Sequence, residues 1–96
     1  MPKAESIQLL RERAEGTTLS LSQIGLTTLP SSLFDLEELE VLDLSYNYQL
    51  RSISTKLLPK LKHLKTLILK GNYNLLENEK LIQKIKTLLP ELKIQA

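Results

Sequence analysis

The chain has 96 residues, of which 24 are leucine, four are aromatic and none is cysteine. That bounds it to one modest domain whose core is assembled from many similar small contributions, and it excludes disulfides and thiolate chemistry. A net charge of +2 hides an uneven split: residues 1–50 hold three Lys/Arg against eight Asp/Glu, and residues 51–96 hold ten against three. One end of the molecule is therefore expected to be acidic and the other basic.

In chain order, the stretch "AESIQLLRERA" places Ile7, Leu10 and Ala14 on one helical face and predicts an N-terminal capping helix within residues 1–15. Its charges interrupt any apolar core of a secretory signal, and no later stretch nears the ~18 apolar residues of a membrane helix. With no cysteine to protect, the expected setting is the reducing cytoplasm.

From residue 16 the leucines fall into register. Leu19, Leu21, Ile24 and Leu26 align with Leu42, Leu44, Asn47 and Leu50, and these with Leu67, Leu69, Asn72 and Leu75. The units start at Gly16, Leu39, Leu64 and Leu89, which predicts repeats over 16–38, 39–63 and 64–88 and a terminal strand within 89–96. Alternation within each unit puts two leucines on one face of a short strand and polar residues on the other. The connections between successive strands are long enough for parallel crossovers, and repeating a right-handed crossover generates a right-handed coil. Ahead of the last strand, Asn78 is expected to cap a helix whose Leu81, Ile82, Ile85, Leu88 and Leu89 face inward, with Pro90 stopping it.

The pattern L-x-x-L-x-L-x-x-N-x-(x)-L resembles the leucine-rich repeat family over nearly the whole chain. "LTTLPSSLFDLEELEVLDLSYN" is especially similar to its intracellular plant, bacterial and Ras-associated type, with the "LP" step. The resemblance implies an α/β leucine-rich-repeat solenoid: about four short parallel strands, helical or irregular convex connections, and a concave exposed strand face. It also implies a role as an adaptor or regulatory subunit.

The asparagine has a physical reason independent of the resemblance. After each strand the chain turns into the interior, leaving backbone groups away from water, each worth about 1 to 3 kcal/mol if unpaired. A side-chain amide carries both donors and an acceptor, so Asn47 and Asn72 are expected to serve the turns of their own and the neighbouring coil. In the family this is called the asparagine ladder. Ile24 replaces the asparagine in the first unit, so two rungs are expected. Units two and three carry an extra residue, "NYQL" and "NYNL", which widens the turn where the tyrosines sit.

A catalytic reading finds little support. The sole histidine, His63, has no acid in the residues around it and reads as a solvated surface residue. The run "DLEELE" spreads its carboxylates along a connection, and three scattered glycines make no phosphate loop. The expectation is a non-catalytic protein with no cofactor and no metal.

What remains is the exposed strand face. Its rows are expected to read Thr18, Val41, Thr66, Glu91; then Ser20, Asp43, Ile68, Lys93; then Ser22, Ser45, Lys70, Gln95, with Gln23, Tyr46 and Gly71 at the turn. Val41 and Ile68 are apolar where solvent is expected, and Tyr46, Tyr48 and Tyr73 gather along one rim. Tyrosine joins apolar area to a polar tip and is enriched at interface hot spots. The candidate partner-binding residues are therefore Val41, Asp43, Tyr46, Tyr48, Ile68, Lys70, Tyr73 and Lys93, and the expected partner is another protein. Tyr48 and Tyr73, one repeat apart, can stack on each other, so of the three tyrosines Tyr46 carries the least structural duty. Two alternatives stand beside this reading: binding of a polyanion, nucleic acid or anionic membrane, through the basic segment 51–70, or a homodimer through the terminal edge strand. The polyanion is disfavoured because no aromatic is interleaved with the lysines and the preceding acidic repeat faces them.

Overall fold

The computed structural model describes residues 14–96 apart from Pro30. Five short strands form one sheet in sequence order: β1 (Ala14–Glu15), β2 (Thr18–Ser20), β3 (Val41–Asp43), β4 (Thr66–Ile68) and β5 (Lys93–Gln95). The last four run parallel, as expected of an α/β solenoid. β1 is antiparallel to β2, so Ala14 and Glu15, which the sequence assigns to a capping helix, are strand; the rest of that helix lies outside the described residues.

β2, β3 and β4 follow one rule, with Ile94 taking the central place in β5. The outer positions, rich in Thr, Val and Ser, face outward while the central leucine turns into the coil. Leu19, Leu42 and Leu67 stack in register and are fully buried, and Leu21, Leu44 and Leu69 form the next buried layer. The convex side closes the core with 3-10 turns at Ser31–Asp35, which buries Phe34, and at Leu58–Lys60, which buries Leu58. No single coil buries its own leucines, so the coils are stable only as a stack.

The third connection is built differently. After a single turn, α1 (Tyr73–Leu76), Asn78 accepts a hydrogen bond from Leu81 N at 3.2 Å and starts α2 (Glu79–Leu88). Glu79 in the first turn and Lys86 in the last suit the helix dipole, and Pro90 cannot continue the helix. A helix advances about 1.5 Å per residue against about 3.3 Å for extended chain. This connection therefore spends more residues on the same crossing.

That difference shifts the last strand. Thr66 pairs with Lys93 and Ile68 with Gln95, where the leucine pattern alone places Glu91 and Lys93. A slip of two residues keeps each side chain on its expected face but moves Lys93 away from Ile68. Leu88 is corrected as well: it is 43% exposed, and of the helix's apolar residues only Ile85 is fully buried.

Candidate functional site

Each strand hands the chain to a turn that carries the tyrosines. At the first residue of that turn the backbone is left-handed in all three coils: Gln23 (φ 57), Tyr46 (φ 59) and Gly71 (φ 80). This conformation bends the strand inward, so the following Asn47 and Asn72 point into the core and are fully buried. Asn47 Oδ1 accepts from Ile24 N (3.2 Å) and Leu26 N (3.1 Å), while its Nδ2 donates to Leu21 O (3.0 Å) and Leu44 O (2.8 Å). Asn72 repeats the motif one coil on: its Oδ1 accepts from Asn47 N (2.7 Å) and its Nδ2 donates to Leu44 O (2.7 Å). Ile24, the residue in the ladder position of the first coil, is 41% exposed.

The extra residue of the wide turns pushes side chains outward. Leu50 N donates to Asn47 O at 2.9 Å, which closes a tight turn and leaves Tyr48 at its exposed tip. Asn74 Nδ2 donates to Tyr48 O at 2.8 Å and ties the second wide turn to the first. Tyr48 and Tyr73 are 56% and 65% exposed and lie nearly parallel, with ring centroids 6.3 Å apart at 23°. Tyr46 meets Tyr48 edge-on at 6.4 Å and 61°. Together with Gln23, Gly25 and Gln49, Tyr46 and Tyr48 line a shallow concavity of about 370 Å³.

Tyr46 is more than a rim residue. It is half-buried, its N donates to Lys70 O at 2.8 Å, and its ring lies on Gly71, where a Cβ would come 2.8 Å from Cε1. The tyrosine expected to carry the least structural duty carries the most. The signal available in the sequence is the glycine itself, since the same place holds side chains in the two preceding coils.

The sheet face beside the rim is divided. On its N-terminal half Asp43 is turned into its own loop, its Oδ1 accepting from Ser45 N (2.9 Å) and Ser45 Oγ (2.7 Å). The Ser45 proton is thus committed to the carboxylate, so at the 3.1 Å contact between Ser45 Oγ and Ser22 Oγ it is Ser22 that donates. Repeat spacing alone does not foretell this chain of hydroxyls. Val41 on the same strand as Asp43 and Ile68 on the next are half-buried, and on the C-terminal half Lys70 and Lys93 are exposed without an ion-pair partner among the described residues. Val41, Asp43, Ile68, Lys70 and Lys93 thus share the face, and Tyr46, Tyr48 and Tyr73 border it.

The basic segment is partly neutralised. Lys60 Nζ is 3.4 Å from Asp35 and Lys65 Nζ is 2.7 Å from Glu40, each acid belonging to the preceding coil. The hydrogen bond from Lys65, supported by Thr17, holds the Glu40 carboxyl below its ordinary value, and the same contact raises Lys65. A depressed carboxylate adds stability above its unfolded-state value that is lost as pH falls through the folded one. Replacing Glu40 with Gln is therefore expected to flatten part of the acid limb of a stability-against-pH curve measured by denaturant titration. The effect is small and fades in high salt, because the pair is exposed to solvent.

Among the described residues no three His, Cys, Asp or Glu side chains gather as a metal site would require, and no helix is long and apolar enough to cross a membrane. His63 is exposed on a connection.

Parallel strands one coil apart, a leucine in the centre of the first three and a buried asparagine at two of the turns define a leucine-rich repeat solenoid. The family model "Leucine rich repeat" matches residues 17–73, more than half of the chain, and the protein belongs to that family. No curated protein matches the chain closely enough to count as a relative. Domains of this family generally mediate protein–protein interaction and are typically non-catalytic.

Proposed function

We propose that this protein is a non-catalytic binding module that takes a partner protein on the exposed face of β2–β5 and on the rim formed by Tyr48 and Tyr73. The observation that carries this reading is the exposed, preorganised tyrosine pair. Two large rings are already stacked and tied by Asn74, so a partner can cover them without paying to order them. Val41 and Ile68 extend the apolar area onto the sheet. A polyanion reading is weakened because Lys60 and Lys65 already answer acids of the preceding coil.

The test is affinity capture with the full chain, followed by binding measurements on whatever protein is retained. Changing Tyr48 and Ile68 together to Ala is expected to weaken that binding by about tenfold or more, as for interface hot spots. Changing Lys56 and Lys62 to Ala on the connections should leave it intact. Tyr46 is the wrong residue for this test, since its ring supports Gly71. Binding that survives the face variant but is lost with the connection variant would refute the proposal.

A further inference from the structure

We infer that the segment this face accepts is acidic with an apolar anchor: a hydrophobic side chain seated on Ile68 and Val41, with carboxylates reaching Lys70 and Lys93. This rests on the reading of the face as a protein-binding surface and adds the chemistry of the partner.

The charge arrangement carries the inference. Of the cations on the C-terminal half, Lys60 and Lys65 are paired with Asp35 and Glu40, whereas Lys70 and Lys93, both on the exposed sheet face, have no carboxylate partner among the described residues. The acid beside Ile68, Asp43, is drawn into its own loop by Ser45 and lies on the other side of Ile68 from Gln95. Positive charge is thus left facing outward around a half-buried isoleucine, with Asp43 on the neighbouring strand and the exposed Glu91, two residues before Lys93 and not ion-paired with it, as the acids on either side. A segment bearing carboxylates meets attraction at Lys70 and Lys93 and repulsion at Asp43, which fixes both its sign and its placement.

The register sets the spacing. Lys93 lies beside Thr66, and Lys70 is four residues beyond Thr66 on the adjacent strand. At about 3.3 Å per residue and ~4.8 Å between strands, the two lysine positions are roughly 14 Å apart. A partner spans that with about four extended residues or about nine helical ones. Ile68 lies between the two lysines, so the apolar anchor falls between the two acids. The bases of a nucleic acid are held by stacking on aromatic side chains, and Ile68 and Val41 are aliphatic, so the protein segment is the better fit.

The experiment is selection from a displayed library of random peptides, about 12 residues long so that either conformation spans the lysines. The baits are the wild-type chain, Ile68→Gln, and the double variant Lys70→Glu with Lys93→Glu, each first shown to unfold cooperatively. The wild type is expected to enrich an apolar residue flanked by Asp or Glu, and the charge-reversed chain to enrich Lys or Arg in the same places. Ile68→Gln should lower the recovery of wild-type winners by about tenfold, in line with losing an interface anchor. Winners lost with Ile68→Gln but showing no acidic bias, or indifferent to the charge reversal, would overturn the inference and leave the binding face standing. Winners indifferent to both variants would overturn the face itself. A single-stranded oligonucleotide is the last probe: binding that follows the charge reversal and ignores Ile68→Gln, with no peptide enriched, would assign the lysines to a polyanion and overturn the inference.

Discussion

Replacing Asn47 with Ala is expected to lower the free energy of unfolding by about 3 to 5 kcal/mol, from the number of buried backbone groups that it leaves without partners. The amide serves four backbone groups in two coils: Ile24 N and Leu26 N donate to its Oδ1, and Leu21 O and Leu44 O accept from its Nδ2. Leu44 O keeps its bond from Asn72, so the losses fall on Leu21 O and on the two amides of the first turn. A domain of this size has roughly 5 to 14 kcal/mol in total, so the change removes a large share of it. Urea denaturation measures it directly, and a loss below about 1 kcal/mol would mean that water replaces the amide at no great cost. Asn47→Asp sharpens the argument. It keeps the acceptor but aims a carboxylate at the carbonyls of Leu21 and Leu44, which raises its folded-state pKa. A raised carboxyl pKa means that the folded state binds more protons, so this variant, unlike Asn47→Ala, should gain stability as pH is lowered into the carboxylate range.

The same residue shows how far the sequence could be read. The repeating leucines, with an asparagine three places behind Leu44 and Leu69, fix the parallel register of the first three coils, because Leu19, Leu42 and Leu67 have no other way to be buried together. The pattern fails at the fourth strand for a physical reason. "LPELKI" satisfies the leucine spacing from Leu89, but the length of chain needed to cross the convex side depends on whether it is helical, and α2 is helical where the earlier connections are 3-10 turns. The face residues were legible as a set, since alternation alone assigns them outward. Their division was not: that Asp43 is tied to its own loop while Lys70 and Lys93 stay exposed depends on Ser45 and on the register of β5, and neither follows from spacing. Tyr46 marks a second limit. Composition shows three tyrosines near one turn; the glycine at 71 hints at a close neighbour, and the left-handed backbone reveals that it is Tyr46 that lies on the next coil.

That contact gives the other large effect. Gly71→Ala is expected to cost about 2 to 4 kcal/mol, by adding a steric conflict to the strain of a left-handed alanine. Two causes act together, and the molecule contains the control that separates them. Gly25 has a similar backbone (φ 73), but a Cβ there meets nothing within 4 Å, so Gly25→Ala reports the backbone strain alone, about 1 kcal/mol. At Gly71 (φ 80) the Cβ falls on the Tyr46 ring, which must swing away and lose its edge-on contact with Tyr48. Gly71→Asn refines the comparison, since asparagine tolerates this backbone but still carries a Cβ: if the ring contact dominates, Asn and Ala cost nearly the same. Tyr46→Ala should then cost less in the Gly71→Ala chain than in the wild type, with a coupling of about 1 kcal/mol or more in a double-mutant cycle. Additive costs would mean that the ring and the glycine do not constrain each other. In that case Tyr46 would return to the rim as a residue free to meet a partner, and the choice of Tyr48 over Tyr46 for testing the binding face would lose its basis.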